Sequence, residues 1–76
     1  MHRQGKKYLQ LLGKNILEKR REKGISQQEL ADNADIAKST VQRIESGEMN
    51  PTILMLWNIS LGLETDLAEL IKVSHN

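Results

Sequence analysis

The sequence of 76 residues contains no cysteine and no phenylalanine, and it has only one proline, one tryptophan and one tyrosine. Without cysteine, neither a disulfide framework nor a thiolate metal site can stabilise the fold. His2 and His75 lie near opposite ends of the chain without ligand spacing, so metal binding is not expected. With so few aromatic residues, the core is predicted to consist mainly of leucine and isoleucine.

Long apolar segments are also absent. The longest apolar run, ILMLW at residues 53–57, is far shorter than the roughly 20 residues that span a bilayer. The basic N-terminal sequence MHRQGKKYLQLLGK lacks the continuous apolar core of a signal peptide. We therefore expect a cytoplasmic protein without a membrane-spanning segment.

The features of an enzyme are missing as well. A chain of this length allows one domain with one modest core. The sequence offers no nucleophile with a neighbouring histidine, no carboxylate pair in a plausible cleft and no glycine-rich phosphate loop. We therefore expect no enzymatic activity and no cofactor.

The charges present are unevenly distributed. Residues 1–24 have a net charge of +6, from eight basic and two acidic residues, whereas the rest of the chain has −5, from three basic and eight acidic residues. Such asymmetry indicates a polyanionic partner, which is nucleic acid or a membrane surface. Charge alone leaves open the alternative of a solvated basic helix face.

Glycine, proline and short polar residues divide the chain into five predicted helices, and no alternating pattern reads convincingly as a strand. The helices are predicted at about residues 8–23, 27–34, 37–46, from Ile53 onward, and 67–71. The predicted fold is an all-α, compact five-helix bundle over residues 8–72, with flexible segments at residues 1–7 and 73–76. Such short helices are marginal alone and must pack on one another.

Two capping boxes are predicted. Ser26 with Glu29 starts the second helix, and Asp66 with Glu69 starts the fifth. In each box, the two side chains satisfy backbone N–H groups at the helix start.

The third helix carries a polar face. At about 100° per residue, its polar side chains fall within an arc of roughly 140°, and these are Lys38, Ser39, Gln42, Arg43 and Ser46. Ala37, Val41 and Ile44 lie on the opposite side. Side chains of these polar types read base edges in a major groove, although a solvated helix can show the same pattern. The absence of an acidic residue between Lys38 and Arg43, and the basic first helix, favour DNA.

The segment SQQELADNADIAKSTVQRIESGEMNPT, followed by LAELI, resembles the Cro/repressor, or XRE-type, helix-turn-helix family of transcriptional regulators, whose domain is lambda-repressor-like. The resemblance covers about Leu12 to Ile71. It implies a compact bundle of five helices in a bacterial or phage-encoded, nucleoid-associated regulator. Its implied partner is double-stranded DNA with a pseudo-palindromic operator, bound as a homodimer, and no membrane partner is expected.

The resemblance also implies roles for individual residues. The base-reading positions of the family correspond to Lys38, Ser39 and Arg43, and Gln42 can join them. Contacts with the sugar-phosphate backbone are implied for Gln27, Thr40 and Asn50.

Two further roles concern the first helix. Arg20 and Glu45 match a partly buried ion pair that ties this helix to the third, and we expect its role to be structural. The basic first helix lies near the reading helix, and Lys14 is predicted to contact the DNA backbone.

The sequence departs from the family pattern at the helix ends. Asp35 replaces a glycine at a turn that tends to need positive φ, which aspartate tolerates better than most residues. Ala37 replaces a capping residue, a loss of about 0.5 to 2 kcal/mol. Gly62 falls inside the fourth helix, and Glu64 occupies another customary glycine position.

Trp57 is the unusual apolar residue. Ile53, Leu56 and Ile59 already supply the predicted core face of the fourth helix, so Trp57 packs in the core or forms a dimer contact.

The sequence leaves the biological role open. A phage repressor, a restriction-modification controller and an antitoxin that binds a toxin are all compatible with it. A protein-interaction module that uses the same bundle without DNA is the alternative from another class.

Overall fold

The computed structural model describes residues 3–73 and consists of five helices in this range, without strands. The helices are α1 (Arg3–Glu22), α2 (Gln27–Ala34), α3 (Lys38–Glu45), α4 (Ile53–Gly62) and α5 (Leu67–Ile71). This confirms the predicted all-α five-helix bundle. Residues 1–2 and 74–76, which include both histidines and parts of the predicted flexible segments, lie outside the described range. Within residues 3–73, no helix combines the length and apolar character needed to cross a membrane.

The first helix is longer than predicted. It begins at Arg3 rather than at Tyr8, so residues 3–7 of the predicted flexible segment are helical. Lysine, glutamine and arginine are good helix formers. Leu9 and Leu12, which are buried in the core, hold the helix a turn further on. Helical propensity and this anchoring together explain the earlier start.

The core is aliphatic, as predicted. α1 supplies Leu9, Leu12 and Ile16, and the other four helices and the residue after α4 supply Leu30, Ala31, Ala34, Val41, Ile44, Leu56, Ile59, Leu63 and Leu70. Burying an aliphatic side chain of this kind contributes about 1.5 to 3 kcal/mol. Because every helix contributes, none of them needs to be stable alone.

The two predicted capping boxes have different outcomes. At α2, Glu29 N donates to Ser26 Oγ and Ser26 N donates to Glu29 Oε1, each at 3.0 Å, which confirms the first box. At α5, Asp66 is the N-cap but its side chain makes no capping hydrogen bond, so the second box is wrong. Asp66 and Glu69 are exposed, and water competes for their carboxylates. α5 is instead held by burial of Leu70, which has no exposed surface.

The turns at the predicted departures fold as expected. Asp35 adopts φ of 55° between α2 and α3, and Ala37 begins α3 without a side-chain cap. Glu64 also adopts a left-handed conformation, with φ of 54°, after α4. Aspartate visits this region more readily than glutamate, so the turn at Glu64 is the more strained of the two.

α1 and α3 approach each other more closely than side chains allow. A Cβ built on Gly13 would lie 2.3 Å from the carbonyl oxygen of Ile44 and 2.6 Å from that of Glu45. Only glycine fits here, and it sets the last turn of α3 against the middle of α1. The position of α3 relative to the bundle therefore depends on this contact.

α1 also closes the far end of the bundle. Tyr8 Oη donates to the carbonyl oxygen of Ile71 at 2.6 Å, and Asn15 Nδ2 donates to that of Leu70 at 2.7 Å. The last carbonyls of a helix have no partner within it. Two side chains of α1 therefore supply the donors that α5 lacks.

Candidate nucleic-acid interface

α3 has one buried and one exposed side. Val41 and Ile44 are 1% exposed and fix the helix to the core. The four candidate base-reading side chains all lie on the exposed side, and they are Lys38, Ser39, Gln42 and Arg43. None of these four side chains has a hydrogen-bond or ion-pair partner within residues 3–73. The structure thus presents a row of uncommitted donors on one helix face.

Glu45, the last residue of α3, forms hydrogen bonds with both preceding helices. Arg20 of α1 donates to its carboxylate through Nε at 2.7 Å and Nη2 at 3.2 Å. Gln27 of α2 donates to the same carboxylate through Nε2 at 2.9 Å. The side chains of Arg20 and Glu45 are 11% and 5% exposed, so this network lies largely away from solvent.

Arg20 has a further partner. Its Nη1 donates at 2.9 Å to the carbonyl oxygen of Ile25, in the loop that leads into α2. One guanidinium group therefore contacts the loop before α2 and the end of α3 together. A planar group with several fixed donors is suited to such a junction.

The other predicted contact residues lie on α3, in the loop after it and on α1. Thr40 is half-buried on α3, and Asn50 is exposed in the loop between α3 and α4. Lys14 is exposed on α1, next to Gly13, whose backbone touches the end of α3. Gln27 is joined to the end of α3 through its hydrogen bond with Glu45.

α4 has an apolar face that the sequence analysis missed. Ile53, assigned above to the core, is 64% exposed, and that assignment is wrong. Leu56, Ile59 and Leu63 are centred about 90° away from Ile53 around the helix at 100° per residue, and Ile53 points outward. Because nearly every position of α4 is apolar, its sequence does not show which side faces the core.

Trp57, which is 49% exposed, lies on the same side of α4. The exposed side chains of this side are Ile53, Leu54, Trp57 and Leu61, which we call the α4 apolar face. Contiguous exposed apolar residues of this kind mark interaction surfaces.

No group of three histidine, cysteine or acidic side chains within residues 3–73 is placed to hold a metal ion. The electrostatics of the region are instead those of cationic and amide donors on α3, beside the basic α1. A short helix with a free polar face, fixed through a tight turn to a preceding helix, defines the helix-turn-helix class of DNA-binding proteins.

The chain belongs to the helix-turn-helix family HTH_3, whose model matches residues 16–74. It is therefore a DNA-binding transcriptional regulator of the XRE type, as the motifs predicted.

Two curated relatives are transcriptional regulators by name. The HTH-type regulator y4dJ of Sinorhizobium fredii is 31% identical over 61 residues, which cover 80% of this chain and 79% of the relative. The HTH-type regulator SinR of Bacillus subtilis is 36% identical over 66 residues, which cover 86% of this chain. The alignment spans 60% of SinR, so the likeness to SinR concerns part of that protein.

Two solved structures have the same fold. The restriction-modification controller protein C.AhdI of Aeromonas hydrophila superposes with a TM-score of 0.81 at 29% identity, over 82% of this chain and 94% of the controller. An HTH_3 family transcriptional regulator of Vibrio cholerae gives 0.83 at 27% identity, over 87% of this chain and 37% of that chain.

Proposed function

We propose that this regulator acts as a homodimeric repressor or controller that reads a pseudo-palindromic operator with α3 of each copy in a major groove. The observation that carries this proposal is the row of exposed side chains on α3 without partners in the described chain. Arginine and lysine pair with guanine in the major groove, and glutamine pairs with adenine. Lys38, Gln42 and Arg43 therefore read bases, with Ser39 beside them.

A second set of residues positions the helix on the duplex. Gln27, Thr40, Asn50 and Lys14 contact the sugar-phosphate backbone around α3. Such contacts fix register and orientation and carry no sequence information directly. Gln27 also donates to Glu45 at the end of α3. Its contact with the DNA backbone is therefore linked to the reading helix through this hydrogen bond.

The length of α3 supports a dimer. Its eight residues extend for about 12 Å at a rise of 1.5 Å per residue. That length covers roughly four base pairs at 3.4 Å each, which is too few to define a site among the many competing sites of a genome. Two copies with α3 helices about 34 Å apart read two half-sites in successive turns of the duplex.

The α4 apolar face is the surface through which we propose that the two copies pair. It is exposed in the single chain, and aromatic residues such as Trp57 are typical of interface cores. The exposed apolar side chains of this face equally favour a second candidate role, that of an antitoxin whose face covers a protein partner such as a toxin.

Selection of binding sites from random duplex DNA, with affinities measured at two salt concentrations, tests the proposal. We expect an enriched inverted repeat and a steep loss of affinity with salt. Enrichment of a single half-site would contradict the dimer. Enrichment of no sequence would contradict base reading by α3 and would favour the protein-interaction role.

A further inference from the structure

The N-terminal half of α1 lies outside the part of the chain that matches the family. The family model begins at residue 16, whereas α1 begins at Arg3. This half is nevertheless integrated into the bundle, because Leu9 and Leu12 are buried and Tyr8 donates to Ile71. It is therefore a fixed part of the surface whose role the family comparison does not cover.

The outward side of this segment is basic. Lys6, Lys7 and Lys14 are exposed, and at 100° per residue they share an arc of about 100° roughly opposite the core positions of α1. None of the three has a hydrogen-bond or ion-pair partner in the described part of the chain. The first acidic residue of the sequence is Glu18. We call these three lysines the α1 lysine face. Lys6 and Lys7 have no acidic residue within four positions along α1, whereas Glu18 lies one turn after Lys14.

The position of Lys6, in the first turn of α1, is unfavourable for the isolated helix. The first turn of α1 contains no acidic residue, although the partial positive charge at a helix N-terminus favours acidic residues and disfavours lysine. An anionic partner would remove this penalty. The charge pattern therefore points to a ligand with several negative charges rather than to stabilisation of the fold.

The α1 lysine face borders the loop that precedes α4. A Cβ built on Gly47 would lie 2.9 Å from the Cα of Gln10, which is one turn after Lys6. Gly5 lines a shallow cavity together with Asn50 and Pro51. At 100° per residue Gln10 lies within the arc of the lysines, whereas Gly5 lies on the core side of α1. The lysines therefore flank Gly47, just after the end of α3.

The dimensions and composition of the face fit a nucleic acid strand. Lys6 and Lys14 are separated by about 12 Å along the helix axis, which corresponds to roughly four nucleotides of one strand at 3.4 Å each. A helix that binds a membrane surface needs exposed apolar side chains beside its basic ones. Leu11 and Leu17 are half-buried, so this face lacks them.

From these observations we propose that the α1 lysine face binds DNA phosphates beside the end of α3 and extends the footprint of each copy beyond its reading helix. This inference rests on the proposed function. Ionic contacts between lysine and phosphate carry no base preference, because phosphates are common to all sequences. The face therefore raises affinity for every duplex and leaves the choice of operator to α3.

The test compares the wild-type protein with a K6Q/K7Q/K14Q variant on the duplex enriched by selection. Each lost phosphate contact lowers the slope of log affinity against log salt by about 0.9, so the loss of three contacts in each of the two copies should lower it by about 5. The ratio of affinities for the selected duplex and for single-base variants of it should not change. Phosphate ethylation should interfere with wild-type binding at positions that no longer matter for the variant.

K72Q is the matched control, because Lys72 is exposed at the end of α5 and has no place in the proposed interface. It should leave the slope unchanged. Thermal melting followed by circular dichroism checks that all variants remain folded.

Two results would overturn the inference, and they differ in what they imply. If the triple variant keeps the wild-type slope and ethylation pattern while the protein still prefers the selected duplex, the lysine face, with the backbone contact of Lys14, is not a DNA contact, whereas operator reading by α3 stands. Binding of the wild-type protein, and not of the triple variant, to vesicles with anionic lipids would in that case assign the face to a membrane surface. If the wild-type protein shows no preference among duplexes, the proposed function itself fails.

Discussion

At the scale of single residues, two arginines show how position decides what a residue type does. Arg20 is 11% exposed and donates to Glu45 and to the carbonyl of Ile25. Arg43 is exposed on α3, and its guanidinium has no partner in the described chain. The first guanidinium group is already satisfied within the fold, whereas the second is available to a base.

Arg43→Ala should relax base preference at one position in each half-site. A bidentate arginine contact to guanine discriminates by about 1 to 3 kcal/mol, so affinity should fall by roughly 5- to 150-fold for each half-site of the preferred duplex, and the two losses multiply for the dimer. Affinities for duplexes changed at that position should stay close to the wild-type values. Competition binding with single-base variants of the selected duplex measures this.

Lys14→Ala serves as the comparison for Arg43→Ala. Because it removes a proposed phosphate contact, it should weaken binding to all duplexes by the same factor. If both substitutions lowered every affinity equally, Arg43 would have no role in reading bases.

The residue features that the sequence predicted well are local ones. The capping box of Ser26 and Glu29, and the positive φ of Asp35, involve neighbours within a few positions. The exposed side of α3 follows from helical geometry and one apolar stripe. The bonds from Tyr8 to Ile71 and from Asn15 to Leu70 join residues more than 50 positions apart. No pattern in a single sequence indicates such pairings.

At the scale of elements, α3 is held by contacts with the rest of the bundle and has no N-terminal side-chain cap of its own. Its last turn is fixed by the donors that converge on Glu45 and by the close approach of Gly13. Sequence analysis found the Arg20 and Glu45 pair through family resemblance alone. The contribution of Gln27 to the same carboxylate follows from packing and was visible only in the structure.

Glu45→Ala should destabilise the fold by about 3 to 5 kcal/mol, because it leaves the largely buried Arg20 without its carboxylate partner. A domain of this size has a total stability of about 4 to 11 kcal/mol, so the loss is a large share. Urea denaturation followed by circular dichroism measures the change in the free energy of unfolding.

Glu48→Ala is the control for this prediction, since Glu48 is an exposed acid just beyond α3. It should change the free energy of unfolding by less than about 0.5 kcal/mol. A similar small effect for Glu45→Ala would show that the network around Arg20 contributes little to stability.

α4 shows where pattern analysis is misleading for an element. Ile53, Leu56, Ile59 and Leu63 recur at spacings compatible with one helix face. Ile53 is nevertheless exposed, because it lies about 90° around the helix from the other three, which are buried. Nearly every position of α4 is apolar, so periodicity separates its two sides poorly. The structure was needed to divide them into a core side and the α4 apolar face.

At the scale of the whole molecule, the α4 apolar face leads to a prediction about assembly. Truncation of a central interface tryptophan costs about 2 to 4 kcal/mol, so Trp57→Ala should raise the dimer dissociation constant by roughly 30- to 1,000-fold. Sedimentation equilibrium over a range of protein concentrations measures this constant.

Glu69→Ala, at an exposed position on α5, should leave the dissociation constant unchanged. A wild-type mass equal to that of one chain at all concentrations would contradict pairing in the absence of DNA. A dimer that is insensitive to Trp57→Ala would place the interface elsewhere.

The hydrogen bonds between α1 and α5 have a consequence for folding during translation. The side chain of Leu70 is fully enclosed, and Tyr8 and Asn15 near the start of the chain find their partners only at residues 69 to 71. A nascent chain therefore cannot complete its core until those residues have left the ribosome. The contacts of the reading helix with α1 and α2 can form as soon as α3 has been synthesised, whereas the core closes only when translation has passed the fifth helix.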